Sequence, residues 1–330
     1  MKRVPLGRAG PSVSVMGLGC MGMSGMYGPA DRAECLATLH AAADAGVNVL
    51  DTGDFYGMGH NELLIGEALG SLGRDRVLLS VKFGALRDPA GGWVGVDTRP
   101  KAMKNFLAYS LRRLGVDYID IYRPARLDPQ VPIEETVGAI ADMVKAGFVR
   151  HIGLSEVGAD TLRRAVAVHP IVDLQIEYSL ISRGIEARIL PTARELGIGI
   201  TAYGVLSRGL ISGHWRKGDA RPGDFRAHTP RFQGSNADAN LALVDALQRV
   251  AEAKQVSVAQ LAIAWVAHQG PDIIPLIGAR RRDRLAEALG SLNLVLSTAD
   301  VAAIERAVPK DSAAGPRYPS AAMADLDSEK

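Results

Sequence analysis

Short apolar runs alternate with longer segments of helical periodicity along most of the chain. The runs are rich in Val, Ile and Leu, and most of them are followed by a turn. Nearly continuous apolar runs of this length are typical of parallel strands that are buried on both faces. The pattern predicts strands at residues 14–19, 47–51, 77–82, 118–123, 150–155, 172–177, 198–203 and 272–277.

The segments between these runs carry apolar residues at helical spacing and several end in glycine, as helices often do. A Ser-Thr-Ala-Asp sequence at 297–300 is similar to a capping box and predicts the start of a last helix that runs through about residue 307. The clearest of these segments predict helices at 31–46, 101–115, 132–147 and 257–270.

Eight strand–helix units in about 250 residues favour a (β/α)8 (TIM) barrel. We expect residues 1–308 to form this barrel as a single domain, with a short N-terminal hairpin made by "RVPL" and "SVSV". A Gly-, Pro- and Arg-rich connection at 204–236 follows the seventh strand, and loops of this length are usually functional or mobile. The tail at 309–330 is expected to be disordered or to cover the mouth of the barrel.

Composition excludes several classes of protein. The 330 residues carry a net charge of only +2, which gives no electrostatic footprint for nucleic acid or for an anionic membrane. No run approaches the roughly 18 apolar residues of a membrane span. Two cysteines do not make a disulfide framework, and the N-terminus lacks the apolar segment of a signal peptide. We therefore expect a cytoplasmic protein, and nothing in the sequence indicates its oligomeric state.

The sequence "GLGCMG" at 17–22 matches the G-x-G-x-x-G pattern of dinucleotide-binding Rossmann folds. That pattern works only where its last glycine opens a helix that faces pyrophosphate. Here two more glycines and a proline follow, and no helix can start before about Asp31. A flexible loop over the barrel mouth explains the pattern better.

Polar residues stand where the predicted strands end, which in a barrel of this kind is where chemistry takes place. A lysine after an apolar run is costly to bury without a partner, so an aspartate on the adjacent strand is significant. A structural ion pair is the alternative explanation. The strand-end residues are Asp51, Lys82, Ser155, Gln175 and Tyr203, and Tyr56 lies in the loop after the second strand.

These side chains suit proton donation by a phenol. The pKa of tyrosine is ordinarily near 10, too high for an efficient acid at neutral pH. We expect the Lys82 ammonium to lower the pKa of Tyr56, and Asp51 to keep Lys82 charged and oriented. Tyr56 would then protonate the oxygen of a carbonyl while a hydride reaches its carbon.

The hydride must come from a cofactor, because no side chain supplies one. Four arginines, Arg280, Arg281, Arg282 and Arg284, follow the eighth strand and lead into a helix. Barrels commonly bind phosphate at this place. An extra 2′-phosphate would explain so many arginines and favours NADPH over NADH. An exposed basic helix start is the alternative, because arginine is commonly a surface residue.

The residues that carry these arguments also resemble the aldo-keto reductase superfamily, in order from about residue 3 to 307. The resemblance implies a (β/α)8 barrel that reduces aldehydes and ketones with NADPH. The matching stretches are "GLGCMGMSGMYG" (17–28), "VLDTGDFYGMGHNELLIGEAL" (49–69), "VKFG" (81–84), "RRLGVDYIDIY" (112–122), "VRHIGLSE" (149–156), "LQIEYSL" (174–180), "AYGVLSRG" (202–209) and "IPLIGARRRDRLAEAL" (274–289).

The resemblance also implies roles for individual residues. Catalysis falls on Tyr56, Lys82 and Asp51. Contacts to the nicotinamide fall on Ser155, Gln175 and Tyr203. Contacts to the phosphates and the adenine fall on Leu206, Arg208, Arg280, Arg284 and Glu287, with Lys217 as a further phosphate candidate.

The largest departure from the family is the catalytic histidine, which aligns with Ala125 in "PARLDP". This variant is similar to a pyridoxal reductase-like branch of the superfamily. Alanine neither donates a hydrogen bond nor titrates, and it enlarges the pocket. Arg123 has the same strand parity and is a possible substitute, although Pro124 disturbs the strand. We expect Met26, Trp93, Ala125 and Arg123 to line the substrate pocket. Glu156 and Ala288 replace two asparagines of the usual pattern.

The sequence thus predicts an NADPH-dependent reductase of a small carbonyl compound, with no metal. Two alternatives remain open. One is the same chemistry run as an alcohol dehydrogenase. The other is a nucleotide-binding regulatory subunit in which the missing histidine marks lost catalysis.

Overall fold

Eight parallel strands close into a barrel in the computed structural model, which describes residues 1–219 and 223–330. This confirms the predicted (β/α)8 barrel. Among the described residues the strands are β1 (Arg3–Pro5), β2 (Ser12–Ser14), β3 (Gly17–Gly19), β4 (Val49–Gly53), β5 (Leu78–Phe83), β6 (Ala85–Arg87), β7 (Trp93–Val96), β8 (Ile119–Pro124), β9 (Val149–Ser155), β10 (Ile171–Glu177), β11 (Gly199–Tyr203) and β12 (Ile273–Ile277).

The helices of the described residues lie mostly between the barrel strands, and the last three follow the final strand. They are α1 (Arg32–Asp44), α2 (His60–Leu72), α3 (Pro100–Leu114), α4 (Ile133–Lys145), α5 (Ala159–Val166), α6 (Ile189–Leu196), α7 (Gly234–Ala253), α8 (Val258–His268), α9 (Arg282–Gly290), α10 (Thr298–Ala307) and α11 (Ser320–Ala324). The predicted capping box is present, because Ser297 and Asp300 exchange hydrogen bonds at the start of α10.

The barrel strands follow one another around the ring in chain order, β3-β4-β5-β8-β9-β10-β11-β12, and β12 closes onto β3. Seven of the predicted strands are observed with ends within two residues of those expected. The eighth, predicted at 14–19, is divided between two elements: its start belongs to the hairpin strand β2 and its end is the barrel strand β3. Both pieces are apolar, so periodicity alone does not separate them.

The predicted N-terminal hairpin is formed by β1 and β2, which pair antiparallel from Arg3 opposite Ser14 to Pro5 opposite Ser12. Leu6 and Val13 are fully buried in a small apolar cluster with the inward-facing residues at the strand starts. The hairpin therefore covers the N-terminal end of the barrel, so that access is left to the opposite end.

Two connections contain more structure than the sequence indicated. The segment 84–97 holds the antiparallel strands β6 and β7, and α7 begins at Gly234, inside the connection predicted at 204–236. The part of that connection at 220–222 lies outside the described residues. In the rest of the chain no helix has the length and apolarity that crossing a membrane requires.

The barrel interior is not filled by apolar side chains alone. Above the apolar layer near the hairpin, Arg123 of β8 and Asp173 of β10 form an ion pair of 3.0 Å with no exposure of either side chain. Gly153 of β9 leaves the space for it, because a Cβ there would lie 2.4 Å from Asp173 Oδ1. The interior thus supplies a charged layer beneath the strand ends.

Candidate active site

Asp51 and Lys82 meet at the C-terminal end of the barrel, where β4 and β5 place them on adjacent strands. The Lys82 ammonium donates a hydrogen bond to Asp51 Oδ1. Asp51 Oδ2 accepts hydrogen bonds from Ser80 Oγ at 2.8 Å and Gln175 Nε2 at 2.7 Å. The carboxylate is therefore held by three donors, and it fixes the direction of the Lys82 side chain.

Tyr56 lies directly after β4, in a 3-10 turn that spans Tyr56–Gly59. Its ring packs edge-on against Phe55 at a centroid distance of 4.7 Å. Lys82 Nζ lies 5.2 Å from the centroid of the Tyr56 ring, which is cation–π distance. Tyr56 is only 6% exposed. The three residues expected to carry the chemistry are thus brought together.

The expected effect of Lys82 on Tyr56 is wrong for this arrangement. Burial and, after it, the Asp51 carboxylate raise the pKa of Tyr56 well above 10, and the cations that oppose them are Arg126 and Arg123. The physical reason is that Lys82 faces the ring of Tyr56 and pairs its charge with Asp51. Tyr56 is therefore held protonated, and in this arrangement it is a weaker acid than a free tyrosine.

Burial also lowers the pKa of Lys82, while the neighbouring Asp51 carboxylate opposes that shift. Desolvation disfavours the ammonium, and an adjacent carboxylate restores it. Asp51 therefore acts as the group that keeps this buried lysine charged.

The missing histidine leaves Ala125 buried just after the end of β8, where its N–H donates to Phe83 O at 2.8 Å. The next residue, Arg126, points its guanidinium towards the mouth. Its Nη1 donates to Ala125 O at 2.7 Å, and its Nη2 lies 3.4 Å from Tyr318 Oη. The side chain beside the vacated position is therefore an arginine.

Arg123 is not a pocket wall, which corrects the sequence-based expectation. Its side chain is 0% exposed and is bound to Asp173, with further hydrogen bonds to Thr201 Oγ1 at 3.2 Å and Ser80 Oγ at 2.9 Å. Strand parity directs it into the barrel interior, where this pair holds it. It cannot replace the histidine at the mouth.

Ser155 and Gln175 lie opposite each other at the ends of β9 and β10. Both side chains are buried, and Ser155 Oγ and Gln175 Oε1 have no hydrogen-bond partner among the described residues. Buried polar atoms normally have partners, so each such atom needs an explanation. A hydroxyl and an amide oxygen fit a carboxamide, so these residues fit the nicotinamide of the expected cofactor.

Tyr203, at the end of β11, is held by hydrogen bonds rather than left free. Its Oη donates to Glu156 Oε1 at 2.6 Å and lies 2.9 Å from Tyr318 Oη. Glu156 has a left-handed φ of 52°, which is strained for a residue with a side chain. The strained turn aims a fully buried carboxylate at the tail residue Arg317.

The segment after β11 directs Arg208 into the mouth. Ser207 and Arg208 are consecutive left-handed residues with φ of 45° and 58°. Arg208 Nη2 lies 3.3 Å from Glu177 Oε2, whereas its buried Nη1 has no partner among the described residues. An unpaired buried guanidinium N–H suits a phosphate oxygen. Leu206 packs against the main apolar core.

The arginine cluster borders a cavity of about 720 Å³ between the loop after β3 and the start of α9. Arg281 pairs with Asp283, and Arg282 pairs with Glu34. Arg280 instead donates to Gly28 O at 2.9 Å. Of the three arginines that line the cavity, Arg280 alone has no carboxylate partner in the described part of the chain. Arg284 and His214 both bind Glu287, at 3.1 and 2.9 Å, beside the same helix.

The remaining expected residues lie at the edge of this region or outside it. Lys217 is bound to Asp238 of α7 at 2.8 Å on an exposed surface, and no described contact brings it to the arginine cluster. Met26 O accepts from Phe225 N at 3.1 Å, which joins the first loop to the long one. Trp93 is 43% exposed and contacts Phe55 at a centroid distance of 6.3 Å.

The sequence reasoning missed two residues at the mouth, Arg126 and Tyr318. Arg126 stands beside Ala125 in the sequence, just beyond the end of a buried strand. That position could have identified it as a residue of the mouth. Tyr318 gave no signal, because its place depends on how the tail folds back onto the barrel.

Comparison with known proteins shows the family of this chain. The family model described as "Aldo/keto reductase family" matches residues 15–309. A curated relative, "Probable aldo-keto reductase 1" of Glycine max, is 41% identical over 320 residues, which cover 96% of this chain and 91% of that protein.

Solved structures show the same similarity. The glycerol dehydrogenase of Gluconobacter oxydans superposes with a TM-score of 0.83 at 30% identity, over 92% of this chain and 94% of that chain. A thermostable aldo-keto reductase solved with the inhibitor epalrestat gives a TM-score of 0.73 at 25% identity, over 93% and 100% of the two chains. The chain belongs to the aldo/keto reductase family, a family of oxidoreductases.

Proposed function

We propose that this protein reduces an aldehyde or a ketone to an alcohol with NADPH, and that Tyr56 is the general acid. The observation that carries the proposal is the convergence of Tyr56, Lys82 and Asp51 beside the unpartnered Ser155 Oγ and Gln175 Oε1. Tyr56, Lys82 and Asp51 form the half of the site that suits proton donation. Ser155 and Gln175 form the half that suits the carboxamide of a nicotinamide.

Tyr56 donates its proton to the carbonyl oxygen of the substrate. NADPH supplies the hydride when it is bound. The phenol stays protonated until substrate arrives, because burial and Asp51 raise the pKa of Tyr56. General acid catalysis of this kind contributes about 10²–10⁴-fold to the rate.

Lys82 and Asp51 keep the ring of Tyr56 in place. Lys82 lies over the Tyr56 ring and is oriented by Asp51, which Ser80 and Gln175 hold in turn. Because these groups are buried, their electrostatic interactions are stronger than in water. Gln175 contributes to both halves of the site.

Loss of the histidine does not remove the proton donor. By analogy with the deletion of one oxyanion-hole donor, it lowers the rate by about 10²–10³-fold. Ala125 leaves space at this position, and Arg126 lies beside it. The proposed enzyme is therefore active without imidazole.

Arg208 and Arg280 are proposed to bind the phosphates of the cofactor. Arg208 Nη1 has no partner among the described residues, and Arg280 has no carboxylate partner there. The start of α9 follows Arg280, and free N–H groups at the start of a helix bind anions. One of these groups, the Arg282 N–H, already donates to Glu34 Oε1 at 2.8 Å. An added 2′-phosphate at Arg280 accounts for a preference for NADPH over NADH.

The test mixes NADPH-bound protein with 4-nitrobenzaldehyde in a stopped-flow instrument and follows oxidation of the cofactor. We expect oxidation of NADPH with a defined single-turnover rate. When NADP⁺ and the alcohol are supplied in excess instead, we expect the reverse reaction. Tight NADPH binding with no oxidation by any of a panel of aldehydes and ketones would instead support the regulatory alternative.

A further inference from the structure

Arg126 differs from the other buried cations at the mouth. Lys82 is paired with Asp51, Arg208 with Glu177, and Arg317 with Glu156. Arg126 has no carboxylate within 4.0 Å among the described residues. The hydrogen bonds recorded for it are those to Ala125 O and Tyr318 Oη.

Glu156, the carboxylate that interacts electrostatically with Arg126, cannot form a salt bridge with it without giving up its own partners. Glu156 Oε1 accepts from Glu177 N, Tyr203 Oη and Arg317 Nη1, and Glu156 Oε2 accepts from Arg317 Nη2 and Ser328 Oγ. The Tyr318 hydroxyl lies at 3.4 Å, a long distance for a hydrogen bond. Most of the five N–H groups of Arg126 are therefore available to a ligand.

Arg126 also lies close to the proposed reaction centre. It follows Ala125, the position vacated by the histidine, and interacts electrostatically with Tyr318, Tyr203, Glu156 and Tyr56. The hydroxyls of Tyr203 and Tyr318 lie 2.9 Å apart, and Arg126 Nη2 lies 3.4 Å from Tyr318 Oη. A guanidinium without a salt-bridge partner in such a place is costly unless an anion binds there during function.

We infer that Arg126 binds a negatively charged substituent of the carbonyl substrate, so that the protein prefers aldehydes or ketones that carry a carboxylate or a phosphate. The inference rests on the proposed function and specifies its substrate class. The planar guanidinium binds such oxyanions with two parallel hydrogen bonds. The hydroxyl of Tyr318 is the group that the anion displaces or joins.

The test compares 4-carboxybenzaldehyde with 4-nitrobenzaldehyde, and the 3-substituted pair, in wild type and Arg126→Gln. Carboxylate and nitro groups have the same shape but differ in charge. We expect Arg126→Gln to lower kcat/KM for the carboxylates about 10- to 100-fold, mainly through KM, as loss of a hydrogen bond to a charged group does. The nitro compounds should change less than about threefold. Arg126→Lys keeps the positive charge but cannot form the two parallel hydrogen bonds, so it should give an intermediate loss of kcat/KM for the carboxylates.

Arg163→Gln is the matched control, because Arg163 is an exposed arginine of α5 paired with Glu195. Arg163→Gln removes one positive charge, as Arg126→Gln does, and kcat/KM for the carboxy and nitro compounds should not change. Circular dichroism and thermal melting verify that each variant is folded. Equal losses for the carboxy and nitro compounds would overturn the inference and place Arg126 on the carbonyl oxygen that they share. No loss for either would overturn it as well.

A binding measurement separates this inference from the proposed function. Calorimetry with 4-(hydroxymethyl)benzoate, an alcohol with the same carboxylate, needs no turnover. We expect wild type to bind it and Arg126→Gln to bind it at least about tenfold more weakly. If no aldehyde is reduced but this difference is found, the reductase proposal fails and the anion site stands. Binding that does not depend on Arg126 would refute the anion site.

Discussion

Charge pairing distinguishes the arginines of this protein from one another. Arg281, Arg282 and Arg284 have carboxylate partners at 2.9–3.1 Å, whereas Arg280 donates to a backbone carbonyl. A guanidinium that is already neutralised gains less from a phosphate than one that is not. The sequence shows four similar arginines, and only the structure shows which of them is available.

Replacing Arg280 and Arg284 by Ala should weaken NADPH binding much more than NADH binding. We expect the NADPH Kd to rise about 10- to 100-fold, the effect of losing hydrogen bonds to a charged group, with Arg280 contributing most. Fluorescence titration with both cofactors measures this difference. Arg163→Ala, on the exposed face of α5, serves as the control. Equal losses for NADPH and NADH would contradict a 2′-phosphate contact.

The tail is the element whose position the sequence could not define. It has no apolar periodicity, and disorder was as consistent with it as a cover over the mouth. In the structure Arg317 binds Glu156 at 2.8 Å, Glu177 at 3.1 Å and Glu329 at 2.6 Å. One buried arginine therefore joins the tail to the ends of β9 and β10. We propose that this contact holds the tail over the mouth.

Arg317→Gln should release the tail and destabilise the protein by about 3 kcal/mol, since breaking a buried ion pair leaves a carboxylate without compensation. Burial alone would raise the pKa of Glu156, but Arg317, Arg126 and Ser328 lower it to about 2. This stabilisation is complete above the ordinary glutamate pKa, about 4.3, and is lost as pH falls towards 2.

Thermal melting of wild type and Arg317→Gln across pH measures the effect. The gap between their Tm values should be constant from pH 7 to about 5 and should shrink at lower pH. Limited proteolysis at pH 7 should cut the tail faster in the variant. Equal Tm values and equal cleavage at pH 7 would show that Arg317 does not hold the tail.

At the scale of the whole molecule, the barrel combines an apolar layer with a charged one. The strand order, the N-terminal hairpin and the strand ends follow from local periodicity, so they were predictable. The hairpin β6–β7 was not, because its strands are short and partly exposed. The interior pair Arg123–Asp173 was not predictable either, because it depends on strand register and on the space that Gly153 leaves.

Removing one partner of that pair should destabilise the protein strongly, and removing both partners should destabilise it less. Arg123→Met leaves Asp173 buried without its cation, and we expect a loss of about 3–5 kcal/mol in the free energy of unfolding. The double variant Arg123→Met with Asp173→Leu should recover part of this loss, because no unpaired charge remains. Urea unfolding measures both. A double variant as unstable as the single one would show that the charges are not coupled.

The most direct test of the central claim is single-turnover oxidation of NADPH by wild type and Tyr56→Phe with 4-nitrobenzaldehyde. We expect the rate in Tyr56→Phe to fall by about 10²–10⁴-fold, because the proton donor is gone while the ring and its packing remain. The Kd for NADPH should be unchanged. A rate in Tyr56→Phe close to that of wild type would contradict the account.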